Sequence, residues 1–243
     1  MIKTRWKPDD ELERSLRNFN RVTIFSCGFC ASLCDTGGTL GMRAMEAFLR
    51  QRGKEVVLAK VVVSCCSEEI MRQAVKRYRH SISASDALVI LSCSAGVKSA
   101  YLVGVGIPVI GALDTIGNTP ITRQTGVLAE SICVTCGQCI LSYTGGICPV
   151  SGCPLHQKYS PCEQFNESDG TCVVDKLRHC VWQEIAQVAD LEELARLQEF
   201  HKSKLRGVST TLAGRRTPSW VKRKSGWFMA HSGWLEKFAL SIR

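Results

Sequence analysis

Eight cysteines fall between residues 133 and 180, and the first three are spaced Cys133-x2-Cys136-x2-Cys139. Cys148, Cys153, Cys162, Cys172 and Cys180 complete the run. A close triad brings three thiolates within reach of one metal using almost no chain, and a distant cysteine can close the site. Four thiolates suit a 4Fe–4S cluster or a tetrahedral zinc. Eight thiolates are enough for two such sites. Spacing leaves the fourth partner of the triad open among Cys148, Cys172 and Cys180. In two-cluster ferredoxins the cysteine before proline serves the other cluster, so Cys148-Pro149 can belong elsewhere. His156 lies nearby and is expected on the surface, because cysteine already supplies the donors.

A second group lies upstream in Ser26-Cys27-Gly28-Phe29-Cys30-Ala31-Ser32-Leu33-Cys34-Asp35-Thr36-Gly37-Gly38. It follows a strand-like run, 21–25, and precedes a helical pattern from about Thr39 to Arg52 that stops near Gly53. Cys27, Cys30 and Cys34 therefore sit on a strand-to-helix turn, where helix amides favour negative charge. The apolar run 56–63 leads to Cys65-Cys66, and 87–91 leads to Cys93. In a parallel sheet the carboxyl ends of adjacent strands share one edge, where ligands bind. Cys27, Cys30, Cys34, Cys66 and Cys93 are thus candidates for a shared site. Taken alone, Cys65 or Cys93 reads equally well as a small core residue. Gly37, Gly38, Gly145 and Gly146 are candidates for letting backbone amides approach cluster sulfurs. In all, two or three 4Fe–4S sites are expected, or a zinc in place of one cluster.

A disulfide framework fits poorly. The opening Met1-Ile-Lys-Thr-Arg-Trp-Lys-Pro-Asp-Asp is charged and has no apolar signal core. Disulfide-rich secreted scaffolds are short, whereas this chain has 243 residues. A reducing cytoplasm, and an anaerobic one, is the expected setting.

The elements that must position these thiols alternate. After an acidic helix at about Asp9 to Asn18, strands are predicted near 21–26, 56–63, 87–92 and 107–111. Helices are predicted near 39–52, 67–80 and 95–104. The strands are rich in Val and Ile, as in sheets covered on both faces. Residues 1–125 therefore read as an α/β domain with a small doubly wound parallel sheet. Residues 126–202 read as a cysteine-rich iron–sulfur or zinc domain. Its irregular part, to residue 180, cannot build a large apolar core, so metal must organise it. Helical pattern returns at Val181, with Trp182, Ile185 and Val188 on one face. A second helix follows, with Asp190 as N-cap, to about Lys202.

Residues 203–243 read as a basic aromatic tail. From residue 202 onward there are ten Lys or Arg and one acid, Glu236. The chain's net charge of +9 is all in that stretch, and residues 1–201 are neutral. Trp220, Trp227 and Trp234 recur every seven residues. Such a segment can dock on an acidic protein, lie on an anionic membrane surface or touch nucleic acid. An exposed aromatic stripe favours the protein partner. Peripheral membrane contact stays open, and nucleic acid is not expected. No apolar run reaches the ~18 residues of a membrane span.

The stretch Cys133-x2-Cys136-Gly137-x-Cys139-Ile140-Leu141-x2-Thr144-Gly145-Gly146-Ile147-Cys148-Pro149-x3-Cys153-Pro154 resembles the C-terminal domain family of methylene-tetrahydrofolate reductase. Pro161-Cys162, Gly170-x-Cys172-x-Val174-Asp175 and Cys180-Val181-Trp182 continue the resemblance. So do Cys27-Gly28-x-Cys30-x3-Cys34-x-Thr36-Gly37-Gly38 and Leu113-Asp114-Thr115. Together they resemble the small iron–sulfur subunit, MetV type, of the two-subunit reductase of acetogens and related anaerobes. The resemblance covers about residues 20–185. This chain departs from it at Ser160-Pro161-Cys162-Glu163-Gln164, where the family carries Gly-Pro-Cys-Gly-Gly, and in the tail.

The resemblance implies an iron–sulfur electron-transfer subunit whose partner is a flavin-bearing, MetF-type barrel. That partner reduces methylene-tetrahydrofolate to methyl-tetrahydrofolate in the methyl branch of one-carbon metabolism, the Wood–Ljungdahl route. Ferredoxin or a further oxidoreductase subunit would supply the electrons. No flavin or folate fingerprint is present in this chain. No acid–base catalyst is expected either; Asp35, Asp114 and His156 are candidates by location only. A competing class is a zinc-stabilised binding module using its basic tail on nucleic acid. The neutral body and the lack of a zinc-finger helix count against it. A third reading keeps the clusters but serves another flavoenzyme or a corrinoid protein.

Overall fold

The computed structural model describes residues 2–118, 133–165, 170–203, 209, 211–212 and 219–220. Four strands, β2 (Arg21–Cys27), β3 (Glu55–Val62), β4 (Ala87–Leu91) and β5 (Val109–Gly111), form a parallel sheet in the order β3-β2-β4-β5. Their runs are apolar on both sides because both sides are covered. All five residues of β4 are buried, whereas β3, at the sheet edge, is mostly half-buried or exposed. The one-turn helix α2 (Cys30–Leu33) follows β2, and α3 (Gly38–Gln51) then leads to β3 and packs on both strands. The helices α4 (Glu68–Arg77) and α5 (Arg79–Ser83) lead to β4, and α6 (Ser94–Leu102) leads to β5. Right-handed crossovers carry α3 to one face of the sheet and α4–α6 to the other. Met45, Phe48 and Leu49 of α3 meet Val22 and Ile24 of β2 in the main core. The mixed α/β class with a parallel sheet is as expected.

Several elements differ from the sequence reading. The segment β1 (Ile2–Trp6) is a strand that the sequence reading lacked. It pairs antiparallel with β6 (Leu113–Asn118), beyond the end expected for the last strand. Ile2, Thr4 and Trp6 point inward and alternate with Lys3 and Arg5. That two-residue period is short and holds two cations, so it reads weakly as a strand. The helix α1 (Asp9–Leu16) stops short of Asn18. The helix expected at 67–80 is interrupted at Tyr78, which ends α4 and precedes α5.

Residues 133–203 carry a single 3-10 turn, Leu141–Tyr143, and the short α7 (Pro149–Gly152). They end in α8 (Val181–Val188) and α9 (Leu191–Ser203). The Asp190 carboxylate accepts the Glu193 amide at 3.0 Å, the N-cap expected from its type. A second core gathers Ile140, Cys153, Trp182, Ile185, Leu194 and Leu197. Val188 is not in it: it is 60% exposed at the end of α8. Its methyls lie over Gly145 instead. The two cores are tied by Arg14 to Glu193 at 2.7 Å and by the Gly111 amide, which donates to Ser142 Oγ at 2.8 Å.

The expected boundary at 125/126 and most of the basic tail, including Trp227 and Trp234, lie outside the described residues. Ser209 and Thr211 hydroxyls donate to the Asp9 carboxylate at the start of α1. Leu212 is buried in the main core, so this part of the tail folds back on the α/β body.

Candidate metal centre

Cys27 ends β2, Cys65-Cys66 follow β3, and Cys93 follows β4. In the order β3-β2-β4 the chain leaves β2 in opposite directions on successive crossovers, which opens a crevice at the carboxyl edge. Three strand ends thus bring sequence-distant thiols to one place. The Cys65 thiol hydrogen-bonds Cys27, and this bond, against the cost of burial, holds Cys27 down at about 6. The same bond and burial push Cys65 well up. Burial pushes Cys93 up to about 12, while the amides of Gly96 and Ala95 at the start of α6 pull against it. Burial likewise raises Cys30, and desolvation of its sulfur raises Cys66 although the residue as a whole is exposed. Cys27, Cys30, Cys65, Cys66 and Cys93 lie near enough for their charges to act on one another. The Cys34 thiol donates to the Ile2 carbonyl at 3.6 Å.

Cys65 was not among the sequence candidates, although it contacts Cys27 directly and is fully buried. The adjacent pair was the available signal. After a strand of period two, one of two neighbours points inward and the other outward. Here Cys65 points inward and Cys66 is exposed.

The four candidate glycines make their close approaches to the protein itself. A Cβ on Gly37 would stand 2.6 Å from Ala31 Cβ and 2.7 Å from the Cys27 carbonyl, so the cysteine turn closes only around glycine. Its amide donates to Ala31 O at 2.9 Å. Gly38 packs against Ser32 and Gly145 against Val188. Gly146, at φ +82°, packs against the Tyr101 ring, and its amide donates to Leu141 O at 2.9 Å.

Cys133, Cys136, Cys139 and Cys148 line one small cavity, together with Gln138 and Lys158. Cys133 and Cys148 also line a larger cavity of about 750 Å³, which Cys66 and Ser94 line as well. Cys148 therefore shares one cavity with the whole triad, and Cys133 and Cys148 share another with Cys66.

A buried ion network holds the triad loop. Arg5 Nη2 donates to the Gly137 carbonyl at 2.8 Å, and the Gly137 amide donates to Thr115 O at 3.1 Å. The Cys139 amide donates to Asp114 Oδ1 at 2.8 Å. Lys7 Nζ donates to Cys139 O at 2.7 Å, Glu11 Oε1 at 2.5 Å and Asp114 Oδ1 at 2.9 Å. Three acceptors satisfy three ammonium donors on a residue only 2% exposed. Burial alone would lower the Lys7 pKa, but Asp114 and Glu11 outweigh it and raise it. Burial would raise Glu11, but Lys7 and His201 hold it well below 4.5, at about 2. Burial pushes the Cys139 thiol up to about 12, with Lys7 opposing. Sequence reasoning missed this network, because a lysine is almost never expected inside.

A polar chain continues from it. His201 Nε2 is 3.3 Å from Glu11 Oε2, and His201 Nδ1 is 2.8 Å from the Tyr159 hydroxyl. That hydroxyl donates to Gln138 Oε1 at 3.0 Å. Lys158 Nζ donates to the same oxygen at 3.2 Å and reaches Cys136 Sγ at 4.0 Å.

The remaining cysteines are arranged differently. Cys153 and Cys180 pack in or against the second core. Cys172 and Cys180 flank a tight loop, their amides donating to Arg178 O and Gly170 O at 3.0 and 2.9 Å. Cys162 is half-buried at a turn closed by the Phe165 amide. His156 is exposed, its Nδ1 2.6 Å from Val150 O, and Asp35 occupies a positive-φ turn position. Among the described residues, no three His, Cys, Asp or Glu side chains stand in the arrangement of a metal-ion site. The donor chemistry nonetheless fits a sulfur-liganded group. Thiols from distant parts of the chain line shared cavities, and a bound metal holds its thiol ligands deprotonated.

Residues 112–206 match the family described as methylene-tetrahydrofolate reductase C terminal. That segment is similar to the C-terminal part of such reductases and contains all eight cysteines from Cys133 to Cys180. No curated protein and no solved structure matches the chain. Among the described residues no helix is long and apolar enough to cross a membrane.

Proposed function

We propose that this chain is the iron–sulfur electron-transfer subunit, MetV type, of a methylene-tetrahydrofolate reductase complex. The observation that carries the reading is that thiols of both groups, Cys66 of the first and Cys133 and Cys148 of the second, line one cavity. The family match over the second group supports it.

Cys27, Cys30, Cys66 and Cys93, with Cys65 beside Cys27, would hold one 4Fe–4S cluster at the sheet edge. Cys133, Cys136, Cys139 and Cys148 would hold a second. Cys153, Cys162, Cys172 and Cys180 remain for a third site, as cluster or zinc. Such clusters, when bound, pass electrons one at a time, which suits a chain feeding a two-electron flavin. The chain's own residues do the positioning. Ala95 and Gly96 aim amides at Cys93, and Asp114, Lys7 and Arg5 fix the triad backbone. The flavin and the folate chemistry belong to a MetF-type partner. A ferredoxin or another oxidoreductase subunit supplies the electrons, and the complex works in the cytoplasm.

The test is iron, zinc and acid-labile sulfide per chain on anaerobically purified protein, with its visible spectrum. About four iron and four sulfide per site, with absorbance bleached by dithionite, is expected. Zinc without sulfide would sink the reading. Co-purification with a flavoprotein tests the partner.

A further inference from the structure

The charges around the triad do not all cancel. Lys7 and Arg5 are balanced by Glu11 and Asp114, each within 4 Å of a cation. Lys158 is different. Its ammonium is half-buried, and among the described residues no carboxylate lies within ion-pair distance of it. Its acceptors are a neutral amide oxygen, Gln138 Oε1, and the Cys136 sulfur. Gln138 is itself held by the Tyr159 hydroxyl, which leans on His201. The ammonium is therefore anchored, without a carboxylate in ion-pair contact, and 4.0 Å from one thiol of the candidate site.

Resting on the reading above, we propose that Lys158 is the residue that sets the reduction potential of the Cys133–Cys148 site. Reduction adds one negative charge to a thiolate-held group. A fixed cation 4.0 Å from one ligand sulfur stabilises the reduced form more than the oxidised form. The lysine gains and loses no electron or proton in this role. It acts through Cys136 as a positioning charge.

The experiment is a redox titration followed by electron paramagnetic resonance on the full, anaerobically purified chain. Native protein is compared with Lys158→Met, Lys158→Gln and Lys158→Arg, with iron and sulfide counted in each. The expected result is that one midpoint potential falls in the two neutral variants. The fall should correspond to at least a tenfold loss in the equilibrium for reduction, about 59 mV for one electron. The arginine variant should stay near native, and the other potentials should not move. Fully loaded neutral variants with unchanged potentials overturn the inference alone. Loss of iron in both neutral variants assigns Lys158 to site assembly and also overturns it. Native protein without iron and sulfide overturns the function itself, and this inference with it.

Discussion

The Lys7 ammonium lies 2.7 Å from the Cys139 carbonyl, although 132 residues separate them. That contact joins the α/β body to the cysteine-rich segment through a buried charge rather than through apolar packing. Asp114 completes the joint, accepting from Lys7 with one carboxylate oxygen and from the Cys139 amide with the same atom.

Removing the cation should be costly. Lys7→Met leaves Glu11 and Asp114 buried without their partner, and breaking a buried pair in this way costs ~3–5 kcal/mol. A denaturant titration should show a matching loss of stability, and the Cys133–Cys139 loop should become protease-sensitive. A loss under ~1 kcal/mol would place this network among weak surface pairs.

Acid should act through Glu11. Its carboxyl is depressed in the folded chain, so its contribution is fully present above the unfolded value of 4.5 and is lost as pH falls toward about 2. In that window stability should fall by at most about 1.4 kcal/mol per pH unit from this group. Glu11→Gln should be less stable near neutral pH and show a flatter acid limb. An unchanged slope in the variant would remove Glu11 from the account.

Gly37→Ala should disturb the cysteine turn, because its new methyl meets Ala31 and the Cys27 carbonyl, neither of which is a movable side-chain end. Overpacking of this kind costs ~1–3 kcal/mol. Gly117→Ala serves as the comparison: neither glycine has positive φ, and a Cβ there would meet nothing closer than 3.6 Å. Equal metal content and equal melting in both variants would contradict the steric role of Gly37.

Cys27→Ala and Cys136→Ala should each remove about four iron and leave the other site's spectrum in place. Loss of all iron from either variant would mean that the two thiol groups hold one shared centre.

Much of the parallel sheet was legible because β2, β4 and the start of β3 are continuous apolar runs, and burial on both faces demands such runs. The convergence of Cys27, Cys66 and Cys93 followed from strand ends sharing an edge. The ribbon of β1 and β6 was not legible. Ile2, Thr4 and Trp6 carry an inward period, but Lys3 and Arg5 between them read as surface. Lys7 was hidden for a related reason: Glu11 is near in sequence, but the other two acceptors that make its burial affordable lie 107 and 132 residues away. Val188 fitted the apolar face of α8 by periodicity, yet the helix ends there and the second core stops at Ile185. The four cysteines beyond Cys148 carry no spacing that separates cluster from zinc.

The β1–β6 ribbon also sets an order of events. Thr4 pairs with Thr115 and Arg5 with Asp114, so β1 has no strand partner until β6 exists. Closing so long a loop is entropically slow, and local helices and adjacent strands form sooner. During synthesis the parallel strands β2, β3 and β4 can associate while residues 2–7 are still in water. Lys7 can leave water only once Asp114 is available to receive it. Residues 2–7, made before the sheet strands, are therefore among the last to fold, and their docking brings Lys7 and Arg5 to the backbone of the cysteine loop.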